Sequence, residues 1–354
     1  MKKNSTSKIL LLSVTVLSLG ILGGCLSQKF KGPEKLVSSN PKFQAFSGVE
    51  PKEGESLSVP RVVDAETLNV GYETYTAYCM QCHGVSGEGN GPAAQGMYPP
   101  PRNFTQGIFK FVSGKSGDLP ADEDLIKTIR YGLRGTHMLP WDLSQERLVA
   151  VVQYIKTFAL PVWKEGAVGV AWKSYENPWK GREQEAILLG KKVYHGVAQC
   201  YSCHPSYATN AEVDAYSREL TGGSSGEMRE NPHLSILQDS SYGHKFMPPD
   251  YTKNWIKSLR THATEEEEIA DIYRLLGSGV GGTTMPSWEG VLSSNSDEQK
   301  RMQESHDRQW ALAYYVYSLH KLKFDLEARK KFFDELNGTR TAKSKQPQPK
   351  TTKQ

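Results

Sequence analysis

Apolar positions along the chain recur mainly at helical spacing. From Ser144 onward, Leu148, Val151, Val152, Ile155 and Phe158 share one face of a predicted helix. A second amphipathic run from about Asp307 to Leu322 repeats the pattern, with Arg147, Ala150, Tyr154 and Phe158 aligning with Arg308, Ala311, Tyr315 and Leu319. A further helix is predicted over Val70 to Met80, carrying Gly71 and Tyr75, and Gly190 and Tyr194 hold the matching places later in the chain. Thr264 followed by Glu265 to Glu268 reads as a capped helix start with a solvated acidic face. Two stretches break the pattern. Ile9 to Leu22 is an apolar run of about 14 residues, shorter than the roughly 20 that a spanning helix needs. Ser27 to about Asp64 is rich in Lys, Ser, Pro and Gly without sustained periodicity, which predicts a tether.

Length and composition narrow the class. With 354 residues, 38% of them hydrophobic, the chain can bury two ordinary cores, and a purely disordered or fibrous protein is excluded. Lys and Arg number 43 against 39 Asp and Glu. Lys2, Lys3 and Lys8 precede the apolar run, however, and Arg340, Lys343, Lys345, Lys350 and Lys353 sit in a tail without acids. The body between is slightly acidic, which argues against nucleic acid as a partner.

The cysteines divide into a lone Cys25 and two C-x-x-C pairs, each followed by histidine: Cys79-Met80-Gln81-Cys82-His83 and Cys200-Tyr201-Ser202-Cys203-His204. C-x-x-C-H is the spacing of c-type haem attachment. Two thiols three residues apart on one helical turn can each form a thioether to a vinyl group, and the adjacent histidine then lies beneath the iron. Zinc would take all four cysteines as thiolates and needs no histidine after each pair, and a thioredoxin-like pair wants a βαβ setting that is not visible. The expected cofactors are therefore two covalently attached haem c groups.

An internal repeat points to the opposite axial ligand. Gly132-Leu133-Arg134-Gly135-Thr136-His137-Met138 and Gly279-Val280-Gly281-Gly282-Thr283-Thr284-Met285 both fit G-x-x-G-T-x-M, and each Met precedes a tryptophan by three residues, Trp141 and Trp288. Upstream, Pro100-Pro101-Arg102-Asn103-Phe104-Thr105 matches Pro248-Pro249-Asp250-Tyr251-Thr252. Pro101 to Met138 spans 37 residues and Pro249 to Met285 spans 36. From His83 to Pro101 the distance is 18 residues, but from His204 to Pro249 it is 45. The excess, roughly 206–245 with a Gly/Ser-rich stretch inside, predicts a surface loop. On the residues alone His137 competes with Met138 as a ligand, and Met247, His233, His244 and His262 compete with Met285. Trp141 and Trp288 read as packing residues.

Two resemblances follow from these residues. The start of the chain resembles a bacterial lipoprotein signal, with Lys2, Lys3 and Lys8, the apolar run, and Leu22-Gly23-Gly24-Cys25 as lipobox. It implies a cleaved leader over 1–24, a lipid on Cys25, a tether over 25–64 and an extracytoplasmic body anchored to a bacterial membrane. Each half of the body resembles a class I cytochrome c domain, and the whole resembles the tandem dihaem cytochromes c of bacterial respiratory chains. The implied fold is mainly α, with one domain over 65–163, a linker over 164–182, a second domain over 183–322 containing the insert, and a charged tail over 323–354. The resemblance implies that His83 and Met138 are axial ligands in the first domain, and His204 and Met285 in the second, and that Pro92 in Gly89-Asn90-Gly91-Pro92 supplies the carbonyl orienting His83. The second half has no such Gly-Pro. The implied role is a one-electron carrier, not an enzyme, between a membrane respiratory complex and a terminal reductase or oxidase. The alternatives are a dihaem peroxidase, whose distal constellation is not found here, and a fixed cytochrome subunit of a dehydrogenase or reductase.

Overall fold

In a computed structural model, the described residues are 63, 65–166, 168–169 and 175–344. The leader, Cys25, all but one residue of the tether, and the chain end beyond 344 lie outside them. In chain order the helices are α1 (Ala65–Tyr78), α2 (Met80–His83), α3 (Asp122–Tyr131), α4 (Gln145–Lys156), α5 (Leu160–Glu165), α6 (Glu183–Lys192), α7 (Asn210–Thr221), α8 (Glu265–Ser278), α9 (Glu298–Lys321) and α10 (Leu326–Ser344). Among the described residues there is no β-strand, only the isolated bridges Leu119–Val168 and Gln238–Phe246. The molecule is mainly helical, as expected, and no described helix is long and apolar enough to cross a membrane.

Helix pairing explains the repeated glycines and tyrosines. Leu68, Gly71, Thr74 and Tyr75 form the buried stripe of α1, which crosses α4. A Cβ on Gly71 would fall 2.2 Å from the Ala150 carbonyl oxygen. In the second half α6 crosses α9, and a Cβ on Gly190 would fall 2.1 Å from the Ala311 oxygen. Only a residue without a side chain lets the backbones approach this closely. Around the crossings lie two buried clusters. Leu68, Tyr75, Leu148, Val151 and Tyr154 belong to one, and Ala186, Tyr194, Ile272, Leu312 and Tyr315 to the other. The predicted cap at Thr264 forms as a reciprocal capping box with Glu267, and at the start of α4 the Ser144 hydroxyl accepts from the Arg147 N–H.

Tyr75 precedes Cys79 by four residues, whereas Tyr194 precedes Cys200 by six. The two additional residues are taken up by a π-helical turn over Val193–Val197, closed by Ala198 N–H to Val193 O at 2.9 Å, and by Gln199 in the left-handed region at φ 47°. Both tyrosines then reach equivalent acceptors: the Tyr75 hydroxyl donates to Gly84 O at 2.7 Å and the Tyr194 hydroxyl to Pro205 O at 2.9 Å. Each acceptor directly follows the motif histidine.

Two expectations are corrected. The 206–245 insert is not all loop, because Thr209 and Glu212 form a capping box that starts α7. This helix lies so close to the π turn that a Cβ on Gly196 would sit 2.6 Å from the Tyr216 carbonyl carbon. The expected tail over 323–354 is helical as far as Ser344. Phe332 of α10 meets the Tyr207 ring at 6.2 Å, and the Arg329 guanidinium donates to Thr252 O at 3.1 Å.

The halves meet at a charge knot. Asp271 of α8, its side chain 1% exposed, accepts from Lys127 of α3 at 2.7 Å, from Arg260 Nε at 2.9 Å and from Arg274. Burial pushes the Asp271 carboxyl up, but Lys127, Arg260 and Arg274 outweigh it and hold the group below its ordinary 3.8. A depressed folded-state pKa means that its stabilisation is complete above 3.8 and is lost as pH falls through the lower, folded-state value. Asp271→Asn is expected to lower stability by about 2 kcal/mol at neutral pH, less than for a fully buried pair because Lys127 and Arg274 are partly solvated. Urea unfolding checks this, and the gap between parent and variant should close in acid below that range.

Candidate haem site

Each C-x-x-C-H segment closes one tight turn with the same hydrogen bonds. Cys82 N–H reaches Cys79 O at 3.2 Å and His83 N–H reaches it at 2.9 Å; the distances for Cys203 and His204 to Cys200 O are identical. All four thiols are free. Burial pushes Cys79 and Cys200 up to about 12, so these are protonated thiols, unlike the low-pKa thiolates of redox-active pairs. Cys79 borders the first apolar cluster and Cys200 the second. Among the described residues no three His, Cys, Asp or Glu side chains gather as a metal cage.

The histidines are held alike. His83 Nδ1 lies 3.0 Å from Arg102 O and the ring stacks on Phe104 at 4.5 Å and 18°. His204 Nδ1 lies 3.0 Å from Pro249 O and stacks on Tyr251 at 4.9 Å and 17°. A carbonyl fixes the proton on Nδ1 and leaves the lone pair on Nε2. Burial lowers both histidines, His204 to about 4, so both rings are neutral and able to bind a metal. One difference separates them: the Tyr251 hydroxyl approaches His204 Nε2 at 3.4 Å, whereas Phe104 has no hydroxyl.

The carbonyl orienting His83 is thus Arg102 O, not Pro92 O, and the second half has an exact counterpart in Pro249 O. The Gly-Asn-Gly-Pro stretch does other work. Gly91 N–H donates to Cys82 O at 3.1 Å, and a Cβ there would meet Gln81 O at 2.3 Å. In the second half the insert takes that place, with Ile236 N–H on Cys203 O at 2.9 Å. Arg229, a residue that no local motif announces, ties the insert to the turn by donating to Tyr201 O at 2.9 Å and His204 O at 3.1 Å.

The methionine loops are superimposable in their bonding. Leu133 N–H donates to Met138 O at 2.8 Å and Met138 N–H to the Thr136 hydroxyl at 3.1 Å; Val280 and Met285 with Thr283 repeat this, each bond at 3.2 Å. Trp141 N–H bonds Ile129 O at 3.1 Å and Trp288 N–H bonds Leu276 O at 3.0 Å. Met138 and Trp141 border the same cluster as Cys79, and Met285 and Trp288 the same cluster as Cys200. Among the rival ligands, His137, His233 and Met247 are exposed. His262 does not join the second loop but lines, with Met138, Trp255 and Phe324, a cleft of about 490 Å³.

Gly132 and Gly279 turn these loops at φ 65° and 73° with extended ψ, a region restricted to glycine, and a Cβ would strike the backbone of Met138–Pro140 or of Met285–Pro286 at 2.6–2.8 Å. Gly132→Ala is expected to cost about 1–3 kcal/mol, measurable by chemical unfolding.

These residues fit a covalently attached haem. Each half offers two free thiols, a neutral oriented imidazole and a thioether around one apolar cluster. Trp288 Nε1 is a buried donor with no acceptor, as expected where a bound group completes the site.

Residues 66–155 match the family model described as cytochrome c oxidase, cbb3-type, subunit III. No curated protein matches the chain. Among solved structures, a chain of the Kuenenia stuttgartiensis reducing HAO-like protein complex is similar at 29% identity and a TM-score of 0.52, over 74% of this chain and 99% of its own. Residues 66–155 thus match a cytochrome c domain, which implies covalently bound haem c and suggests electron transfer.

Proposed function

We propose that the protein is a dihaem cytochrome c in two tandem domains, anchored through a lipid on Cys25 to a bacterial membrane, that passes single electrons from a membrane respiratory complex to an extracytoplasmic acceptor. The observation that carries this is the duplicated scaffold: carbonyl to Nδ1, aromatic ring on imidazole, and threonine-pinned methionine loop recur in both halves with near-equal distances. When bound, haem c supplies a one-electron couple tuned by its axial ligands. The chain's own residues do the rest. Cys79 and Cys82, or Cys200 and Cys203, would hold the group by thioethers, His83 or His204 would offer it Nε2, and Met138 or Met285 would offer its sulfur and keep water and small ligands away.

A second reading is favoured by the similarity to a chain of a multi-subunit HAO-like complex: the protein serves as a fixed cytochrome subunit of a reductase. It shares the same chemistry and differs in partner, so co-purification from detergent-solubilised membranes separates the two.

The test of the dihaem assignment is a haem count on purified protein with a near-infrared spectrum of the ferric form. Two haems per chain and the sulfur-to-iron charge-transfer band are expected. One haem per chain, absence of that band, or prompt stoichiometric cyanide binding would refute it.

A further inference from the structure

Between the first histidine scaffold and the second methionine loop lies a group of cations without a carboxylate. Arg102, whose carbonyl holds His83, sets its guanidinium over the Tyr242 ring at 3.7 Å, and Lys110 Nζ stands 5.2 Å from the same ring. Tyr242 comes from the insert. Its hydroxyl donates to Gly281 O at 2.6 Å, its neighbour Ser241 donates from N–H to Gly282 O at 3.0 Å, and Lys110 O accepts from Gly281 N–H at 2.9 Å. The cations are thereby pinned to the loop that ends in Met285. His244 stacks on Tyr242 at 6.1 Å and 27°, and its Nε2 is buried without a partner.

Both cations are half-buried, and among the described residues neither forms a salt bridge. Burial pushes the Lys110 ammonium down to about 8, with Arg102 and Lys257 adding to the shift and no acid offsetting it. Stacking on an aromatic face yields about 0.5–2 kcal/mol per cation and cancels no charge. Neighbouring desolvated cations with no acid facing them favour an anion there. Elsewhere on this seam the charges are matched, as Asp271 shows.

We infer that Arg102 and Lys110, seated on the Tyr242 ring, form a carboxylate-binding site between the two halves. The carboxylate has two sources that share this chemistry: the propionate side chains of the proposed haems, which rest on the dihaem reading, or a free carboxylate from solution.

The experiment compares Arg102→Gln and Lys110→Met, singly and together, with the parent protein. Arg218→Gln, which removes an exposed cation from α7, serves as control. Haem count is measured on every sample, so that a failure of the dihaem reading appears there and nowhere else. Midpoint potentials and resonance Raman propionate-bending bands are then recorded over a range of acetate concentrations. Loss of a cation beside a propionate stabilises the ferric state, so each substitution is expected to shift the redox equilibrium about tenfold toward ferric, roughly 59 mV, and to move the propionate bands whatever the acetate concentration. A free anion gives instead a parent potential that responds to acetate, a variant potential that does not, and unmoved bands; the site then stands with the second source. Two haems per chain with potentials, bands and acetate response all equal to those of the parent and the control would overturn the proposal.

Discussion

With Met285 as ligand to the proposed second haem, Met285→His is expected to lower that centre's midpoint potential by on the order of 0.2 V while keeping it closed to cyanide, and Met285→Ala to open it to prompt cyanide binding. Thioether ligation favours the ferrous state relative to a second imidazole, and axial ligands span about 0.8 V of haem potential. At roughly 59 mV per factor of ten, a 0.2 V shift changes the electron-transfer equilibrium by more than three powers of ten. The loop geometry makes the test specific. Met285 is held by its own N–H on the Thr283 hydroxyl and by its carbonyl on Val280 N–H; both use only main-chain atoms of residue 285 and survive either substitution. A changed potential then reports the lost sulfur and not a collapsed loop. Optical redox titration with cyanide binding reads both outcomes; no change in either would remove Met285 from the ligand set.

Gly190→Ala destabilises the second half by on the order of 3 kcal/mol, and Gly190→Leu prevents it from folding. The added Cβ would lie 2.1 Å from Ala311 O and 2.7 Å from Tyr315 Cβ, a main-chain carbonyl and an atom fixed to the main chain, neither of which can swing aside as the end of a long side chain would. The α6–α9 crossing must open instead, and overpacking of this kind costs typically 1–3 kcal/mol and occasionally more. Tyr194, one turn further along, would lose its grip on Pro205 O, so the histidine turn should loosen with the crossing. Chemical denaturation followed by helical circular dichroism measures the loss. A variant as stable as the parent would mean that the helices cross elsewhere.

Much of the scaffold is legible in the amino-acid sequence. The capped start at Thr264, the amphipathic runs from Ser144 and Asp307 and the repeated glycines depend on residues a few positions apart, where spacing alone carries the information. The box formed by Thr209 and Glu212 was an equally local signal, and it marks α7 inside a segment read as loop from its glycines and serines. The charged stretch after Leu322 misled for another reason. The apolar face of α10 is short, with Phe332, Phe333 and Leu336 among lysines and acids, and it acquires a purpose only once Tyr207 is there to meet it.

By itself the amino-acid order determined the chemistry of the site: thiols three residues apart, a histidine next to them, and a methionine at one place in a repeated frame. It could not determine what orients the histidines, because the acceptors are main-chain carbonyls of Arg102 and Pro249, 19 and 45 residues away, and a carbonyl has no side-chain signature. Nor could it reveal Arg229, the Asp271 knot or the unpaired cations around Tyr242. Those features exist only where segments distant in the chain are brought together, since burial and charge balance belong to the folded surroundings and not to the residues themselves.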